Sequence, residues 1–119
     1  MPGVSIHVVD VSRGVVAAGM QMTLYRLEDT GTGRRAIAGG AISAAGTLDD
    51  PRIDVVLETG RYEVDFDVGG FYRASGAMLP AVPFLGLVTY RFGIADSTQH
   101  YHLPFKCTPW GYSCFRGGV

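Results

Sequence analysis

Hydrophobic and polar residues alternate along several short stretches of the chain. Residues 4–8 read VSIHV and residues 20–24 read MQMTL, so apolar side chains occupy every second position. Successive side chains of a β-strand point to opposite faces of the sheet, and this period of two therefore predicts two half-buried strands. His7 lies between two apolar positions, so we expect its side chain to point away from the core.

The clearest alternation is at residues 62–68, which read YEVDFDV. A shift of one residue would bury the acids and expose the apolar side chains, so the pattern strongly specifies one register. We expect the core to include Val64 and Phe66, together with Phe92 from the alternating stretch at residues 90–94. The three acids between the apolar residues are interpreted as a solvated sheet face.

Seventeen glycines and six prolines break the chain into short pieces. Residues 71–79 are the best candidate for a short helix, because Pro80 prevents its continuation. Two further strands are predicted at residues 101–107 and 112–116. Many short strands at regular spacing predict an all-β fold, two antiparallel sheets of about four strands each with one short helix, forming a single domain over residues 1–119.

The charge balance narrows the possible partners. Ten lysines and arginines against eleven acids give a formal net charge of −1. This charge provides no field that would collect phosphates or an anionic membrane surface, so we expect neither nucleic acid nor membrane as a partner. The N-terminus lacks the basic and apolar regions of a signal peptide, and we expect a cytoplasmic protein.

Cys107 and Cys114 are the only cysteines. Two thiols without C-x-x-C spacing favour neither a disulfide framework nor a zinc site, so free thiols are the default interpretation. A hairpin through residues 108–111 would allow them to lie opposite one another, which leaves a disulfide bridge as the minor alternative.

Three histidines are the most chemically suggestive residues. His100 and His102 are two positions apart, so their rings leave the same face of one strand. Together with His7 they offer three imidazoles, which suit a zinc site with an open position or acid–base chemistry near neutral pH. Structural histidines at the surface are the third interpretation, and the spacing alone does not separate the three.

The C-terminal sequence resembles that of the 5-hydroxyisourate hydrolases, a family similar to transthyretin. Residues 100–104 read HYHLP and residues 108–118 read TPWGYSCFRGG, against the family pattern HYHVPLLLSPWGYSTYRGS. Shorter similarities extend this resemblance over nearly the whole chain: HVVD at residues 7–10, RG at 13–14, AAG at 17–19, GRY at 60–62, FL at 84–85 and RFGIAD at 91–96.

The resemblance implies a transthyretin-type, or prealbumin-like, two-sheet antiparallel β-sandwich that assembles as a homotetramer, with sites in grooves between paired dimers. It implies hydrolysis of a small cyclic molecule by attack of water on a ring carbonyl, without metal or cofactor. His7 and His102 match the two catalytic histidines of the family, which activate the water and move protons.

The resemblance fails at several positions of the implied site. The family reads NADGRTDAP where residues 43–51 read SAAGTLDDP, so Thr47 stands in place of an arginine, and Arg52 is the nearby candidate to replace it. The family ending YRGS becomes FRGGV, with Val119 as an additional residue. The candidate substrate-binding residues are therefore Thr47, Arg52, His100, Trp110, Phe115, Arg116 and Gly118.

Three functions remain open on these residues. The first is hydroxyisourate hydrolysis or rearrangement of a similar ring, with an altered substrate preference because the arginine and two hydroxyls are replaced. The second is a recruited cyclase or hydrolase of specialised metabolism, and the third is a non-catalytic binding protein similar to transthyretin. The retention of His7 and His102 favours an enzyme.

Overall fold

The alternating stretches form two four-stranded sheets that pack face to face. The computed structural model describes residues 2–118. The first sheet has the strand order β2-β1-β7-β8 and the second β4-β3-β5-β6, which confirms the expected sandwich. The strands are β1 Gly3–Asp10, β2 Val15–Val16, β3 Gln21–Leu27, β4 Arg34–Ala41, β5 Gly60–Asp67, β6 Leu87–Ile94, β7 His100–Thr108 and β8 Gly111–Cys114.

One pair of strands departs from the antiparallel arrangement that the sequence predicts. β1 and β7 run parallel, in a register that begins with Gly3 opposite His100 and ends with Asp10 opposite Cys107. All other pairs of neighbouring strands are antiparallel. The first sheet is therefore mixed, and its two central strands come from opposite ends of the chain.

The core lies between the two sheets and is built from the apolar positions of the alternating stretches. Val64 and Phe66 are fully buried, and the ring of Phe66 stacks on that of Phe105 in the opposite sheet at 3.9 Å between centroids. Phe92 is only half-buried, since it lies on the edge strand β6 and packs against the margin of the core. The core therefore contains Val64 and Phe66 as predicted, and Phe92 packs against it only at its margin.

The acids of β5 do not form a solvated face. Glu63 is 6% exposed and Asp65 is 5% exposed. Arg34, at the start of β4, contacts the carboxylate of Glu63 at 3.2 Å and that of Asp65 at 3.0 Å. Arg91, on β6, donates to Glu63 at 2.9 Å. Long arginine side chains from β4 and β6 cover the acids, so the strand is buried on both faces.

The single α-helix of residues 2–118, α1, spans Val68–Ala74 and not residues 71–79. Asp67 caps it by accepting a hydrogen bond from the Gly70 amide at 3.0 Å. A Cβ atom at Gly69 would lie 2.9 Å from the carbonyl oxygen of Leu85. The glycine pair therefore permits close packing of the first helical turn. In the sequence, two adjacent glycines instead suggest the end of a strand and no helix. No helix among residues 2–118 is long and apolar enough to cross a membrane.

A buried carboxylate joins this helix to the first sheet. Asp10 is fully buried at the end of β1, and its oxygens accept hydrogen bonds from the hydroxyls of Tyr72 and Ser12 at 2.6 Å and from Arg13 at 2.7 Å. Burial acts to raise the pKa of Asp10, but the hydrogen bonds outweigh it and keep this pKa below its ordinary value. The carboxylate therefore stays ionised and holds the helix in place.

The two cysteines are free and do not face each other. Cys107 lies opposite Tyr112 in the hairpin, and Cys114 lies opposite Phe105. Burial raises the pKa of the Cys107 thiol and raises that of Cys114 to about 12. The free-thiol interpretation is therefore the one realised, and both groups are protonated near neutral pH.

We expect Tyr72→Phe to lower the free energy of unfolding by about 1.5–3 kcal/mol at pH 7, because it removes a hydrogen bond to a buried carboxylate. Urea denaturation at a fixed protein concentration measures this change. Tyr90→Phe is the control, since the Tyr90 hydroxyl makes no hydrogen bond within residues 2–118. Equal losses in the two variants would contradict the role given to Asp10.

Candidate functional site

The parallel register of β1 and β7 brings two histidines to the outer face of the first sheet. Ser5 lies opposite His102, and His7 lies opposite Pro104. The residues that alternate with them, such as Ile6 and Leu103, are buried in the core. The expected outward direction of His7 is therefore confirmed, and the face that carries it also carries His102. We call this surface the histidine face, defined by Ser5, His7, His100 and His102.

Ser5 lies between two of the imidazoles. Its Oγ is 2.8 Å from Nε2 of His100 and 2.7 Å from Nδ1 of His102. The two rings thus share a face of β7, as their spacing predicts, and they converge on one oxygen. The sequence analysis did not single out Ser5, because its partners are 95 and 97 residues away and no local pattern indicates the pairing.

Thr47 lies beside His7 through a single antiparallel bridge. Residues opposite each other in such a bridge point to the same side, so Thr47 also belongs to the histidine face. Its hydroxyl donates to Asp49 at 2.7 Å and lies 3.1 Å from the Ser43 hydroxyl. The carboxylate of Asp49 is therefore hydrogen-bonded to the residue that stands where the family has an arginine.

The loop that carries Thr47 also approaches the ring of His7. The Gly46 carbonyl accepts a hydrogen bond from the Val8 amide at 2.8 Å, and Gly46 has a φ of +85°. A Cβ atom at this position would lie 2.9 Å from His7 Nε2. Glycine is required here both for the left-handed backbone and for the space that the imidazole occupies.

Arg52 is engaged elsewhere. Its Nε lies 3.0 Å from both carboxylate oxygens of Asp50, and its Nη2 lies 2.7 Å from one of them. These hydrogen bonds hold the pKa of Asp50 far below its ordinary value. Arg52 also lines a groove of the second sheet, together with Thr23 and Asp65. The structure does not bring Arg52 to the histidine face.

The C-terminal segment returns to His102 after β8. The Gly117 amide donates to the His102 carbonyl at 2.7 Å, and a Cβ atom on Gly117 would lie 2.7 Å from the Cδ2 atom of that imidazole. Phe115 is 46% exposed, and Gly118 is exposed with open space around it. The additional Val119 lies outside the described residues.

Two other predicted site residues lie off the histidine face. Arg116 donates to the His100 carbonyl at 3.2 Å and stacks over the Tyr101 ring, so its guanidinium contacts the strand and not the imidazoles. Trp110 is 70% exposed in the turn between β7 and β8. Thr108 at the end of β7 lies six positions after His102, which is about 20 Å of strand. Trp110 is therefore remote from His102 within one chain.

Lys106 is a cation that the sequence analysis missed. It lies opposite Val9 and is four residues along β7 from His102, so it points to the same side of the sheet. Its ammonium group is exposed and lies 5.9 Å from the centroid of the Phe115 ring. The sequence pattern that could have identified Lys106 is its alternation with the buried residues Phe105 and Cys107. It gives the histidine face a positive charge at the end nearer to the β7–β8 turn.

The chemistry available at this face is proton transfer and hydrogen bonding. Residues 2–118 contain no group of three or more His, Cys, Asp or Glu residues that could hold a metal ion. The imidazoles of His100 and His102 instead each form a hydrogen bond with the Ser5 hydroxyl. Nε2 of His102 and both ring nitrogens of His7 make no hydrogen bond within the described residues and are not buried, so they are free to contact a substrate.

Comparisons with known proteins agree with this architecture. Residues 4–117 match the model of the HIUase/Transthyretin family. The chain is 42% identical over 112 residues to "5-hydroxyisourate hydrolase 2" of Rhizobium meliloti, an alignment that covers 93% of this chain and 92% of that protein.

Two solved structures are also similar. The 5-hydroxyisourate hydrolase of Klebsiella pneumoniae superposes with a TM-score of 0.80 and 26% identity, covering 99% of this chain and all of that one. An (S)-allantoin synthase gives a TM-score of 0.86 and 28% identity over 98% of this chain, which spans only 43% of that longer protein.

We expect Gly117→Ala to displace the imidazole of His102, because the added methyl group would lie closer to Cδ2 than real contacts permit. The Cδ2–Hδ2 NMR signal of His102 should shift. Any turnover that depends on this ring should fall at least about tenfold, since small misplacements cost up to about 100-fold. Gly111→Ala is the control, because its Cβ meets open space. An unchanged His102 signal would show that the C-terminal segment simply moves away.

Proposed function

Because the chain belongs to the HIUase/Transthyretin family, we propose that it hydrolyses 5-hydroxyisourate, the activity named for its relatives. The observation that carries the proposal is the presence of His7 and His102 on one outer face of the first sheet, each with a free ring nitrogen. Neutral imidazole exchanges protons readily near neutral pH, which is the requirement for activating water.

The proposed reaction is the addition of water to a ring carbonyl, followed by opening of the ring. One imidazole takes a proton from the water as its oxygen forms a bond to the carbonyl carbon. The tetrahedral intermediate then collapses, the carbon–nitrogen bond breaks, and the same proton passes to the leaving nitrogen. The carbonyl oxygen carries negative charge in between and needs hydrogen-bond donors. No group other than side chains of the protein is needed for these steps.

The two alternative functions receive less support. A binding protein has no need of two imidazoles with free nitrogens on one face, and the similar proteins described above are named as hydrolases or as a synthase. A recruited cyclase or hydrolase of specialised metabolism would use the same two histidines on a different ring. Full-length similarity at 42% identity to a hydroxyisourate hydrolase favours the family reaction.

The histidine face has few hydrogen-bond donors that could stabilise the negative charge developing on the carbonyl oxygen. Thr47 stands where the family has an arginine, its hydroxyl already donates to Asp49, and Arg52 is held by Asp50. The loss of one such donor costs on the order of 100-fold in rate. We therefore expect slow turnover of 5-hydroxyisourate, or a preference for a less polar ring beside Phe115.

We further propose that the protein is a cytoplasmic homotetramer of single domains. Three large hydrophobic residues on the β7–β8 hairpin and after it, Trp110, Tyr112 and Phe115, are exposed in one chain. Exposed aromatic side chains are enriched at subunit interfaces. In an assembly with facing first sheets, Trp110 of one subunit would approach the histidine face of another. Sedimentation of the purified protein tests this state.

We expect the purified protein to hydrolyse freshly generated 5-hydroxyisourate, and His7→Ala and His102→Ala each to lower kcat/KM by about 100-fold or more, as for the loss of a general acid or base. Activity should persist in chelator. Decay of substrate absorbance, corrected for the spontaneous reaction, measures these rates. Gln21→Ala on the second sheet is the control variant. Turnover no faster than the spontaneous reaction would contradict the proposal, and activity restored only by zinc would favour a metal site.

We expect Thr47→Arg combined with Gly118→Ser to raise kcat/KM for 5-hydroxyisourate by about 10- to 100-fold, because a planar fork of donors is restored beside His7. Ala45→Arg combined with Gly118→Ser is the matched control, which adds the same charge to an exposed position of the same loop. An equal gain in both variants would indicate general attraction of an anion. Efficient turnover by the unmodified protein would show that another donor already replaces the arginine.

A further inference from the structure

The hydroxyl of Ser5 is shared by two imidazoles. It lies 2.8 Å from His100 Nε2 and 2.7 Å from His102 Nδ1, and both distances are those of full hydrogen bonds. A hydroxyl carries only one hydrogen atom. Its oxygen could accept from both rings, but its hydrogen would then have no acceptor among residues 2–118, where the two imidazoles are its hydrogen-bond partners. When both rings are neutral, Ser5 satisfies all of its hydrogen-bonding groups by donating to one ring and accepting from the other, and this couples the tautomers of the two histidines.

Two arrangements satisfy this rule. In the first, His100 Nε2–H donates to Ser5 and Ser5 donates to His102 Nδ1, which leaves the proton of His102 on Nε2. In the second, His102 Nδ1–H donates to Ser5 and Ser5 donates to His100 Nε2, which leaves the proton of His100 on Nδ1. The free nitrogen of His102 is thus a donor in the first arrangement and an acceptor in the second.

The surroundings of His100 decide between them. Its Nδ1 atom is buried and has no hydrogen-bond partner within the described residues. The second arrangement places a proton on this atom and so buries an unsatisfied N–H donor. Orphaned N–H groups are rarer in proteins than under-satisfied acceptors, and each costs the desolvation of a donor. The first arrangement leaves only a bare lone pair there and is therefore favoured.

We propose that Ser5 is a positioning residue that holds His102 with its proton on Nε2, so that His102 donates a hydrogen bond to the oxyanion and His7 is the base. This assignment of roles to His7 and His102 rests on the proposed hydrolysis. It changes the role of His102 from the proton acceptor that the family resemblance suggests to a neutral donor. It also supplies one N–H at the face where Thr47 replaces an arginine.

The roles are consistent with proton balance. His7 takes the proton of the attacking water and later gives it to the leaving ring nitrogen. His102 keeps its proton throughout, because transfer of this proton would leave an imidazolate in the Ser5 chain. A neutral imidazole held as an N–H donor stabilises a developing oxyanion without changing its own charge.

The tautomers are measured directly by ¹⁵N NMR on the full-length protein without substrate, at about pH 8.5, where free imidazole side chains are neutral. We expect His102 and His100 both to carry their protons on Nε2, with His102 Nδ1 as a hydrogen-bonded acceptor. A proton on Nδ1 of His102 in the wild-type protein would overturn the proposal. This result needs no assumption about the substrate.

Two variants link the tautomer to turnover. Ser5→Ala removes the shared hydroxyl, so the His102 Nδ1 signal should lose its hydrogen-bond shift, the second tautomer should become populated, and kcat should fall by about 2- to 10-fold, the effect of one ordinary hydrogen bond. Ser5→Thr keeps the hydroxyl on a side chain suited to a strand and should preserve both signal and kcat.

The outcomes separate this proposal from the proposed hydrolysis. Nε2 protonation of both rings without turnover of 5-hydroxyisourate supports Ser5 as the determinant of the tautomers and rejects the substrate. Turnover by a protein whose His102 is protonated on Nδ1 supports the hydrolysis and rejects the role of Ser5. An unchanged His102 Nδ1 signal in Ser5→Ala would also reject it.

Discussion

The parallel pairing of β1 with β7 is the constraint on which the candidate site depends. Side chains on a strand alternate between faces, so a slip of one residue in either strand would exchange its core-facing and outward-facing sets. Burial of Ile6 and Leu103 between the sheets prevents this slip. The same packing therefore holds Ser5, His7 and His102 together on the outer side, and the apolar core determines the geometry of the polar face.

The histidine face combines a rigid support with few charged donors. The His7 ring is bounded by Gly46, and the His102 ring by Gly117, so small residues allow the backbone to approach each imidazole. The arginine of the family is absent, and Thr47 is engaged with Asp49. Stabilisation of negative charge must then come from neutral groups or from the exposed Lys106. This makes the location of single protons on the imidazoles more important than in a site with a guanidinium.

Buried carboxylates outside the histidine face stabilise the helix and the sheets that support it. Asp10 ties the helix to the end of β1 through Tyr72, and Arg34 and Arg91 cover the acids on the outer side of the second sheet. Each buried carboxylate keeps several hydrogen bonds, which is the condition under which burial of a charge is tolerated. These contacts lie away from the histidine face, so its nitrogens remain free for a substrate.

The sequence by itself determined the properties that depend on local periodicity. The period of two predicted the strands, the burial of Val64 and Phe66, the outward direction of His7 and the common face of His100 and His102, because the direction of a side chain on a strand depends only on its position. Only the tertiary structure decided which strands are neighbours and what covers each face. The parallel partner of β1, the burial of Glu63 beneath arginines and the contact of Ser5 with residues 95 and 97 positions away all result from pairing between distant segments. No local pattern encodes such pairing, because its energy comes from contacts that exist only after the chain has folded.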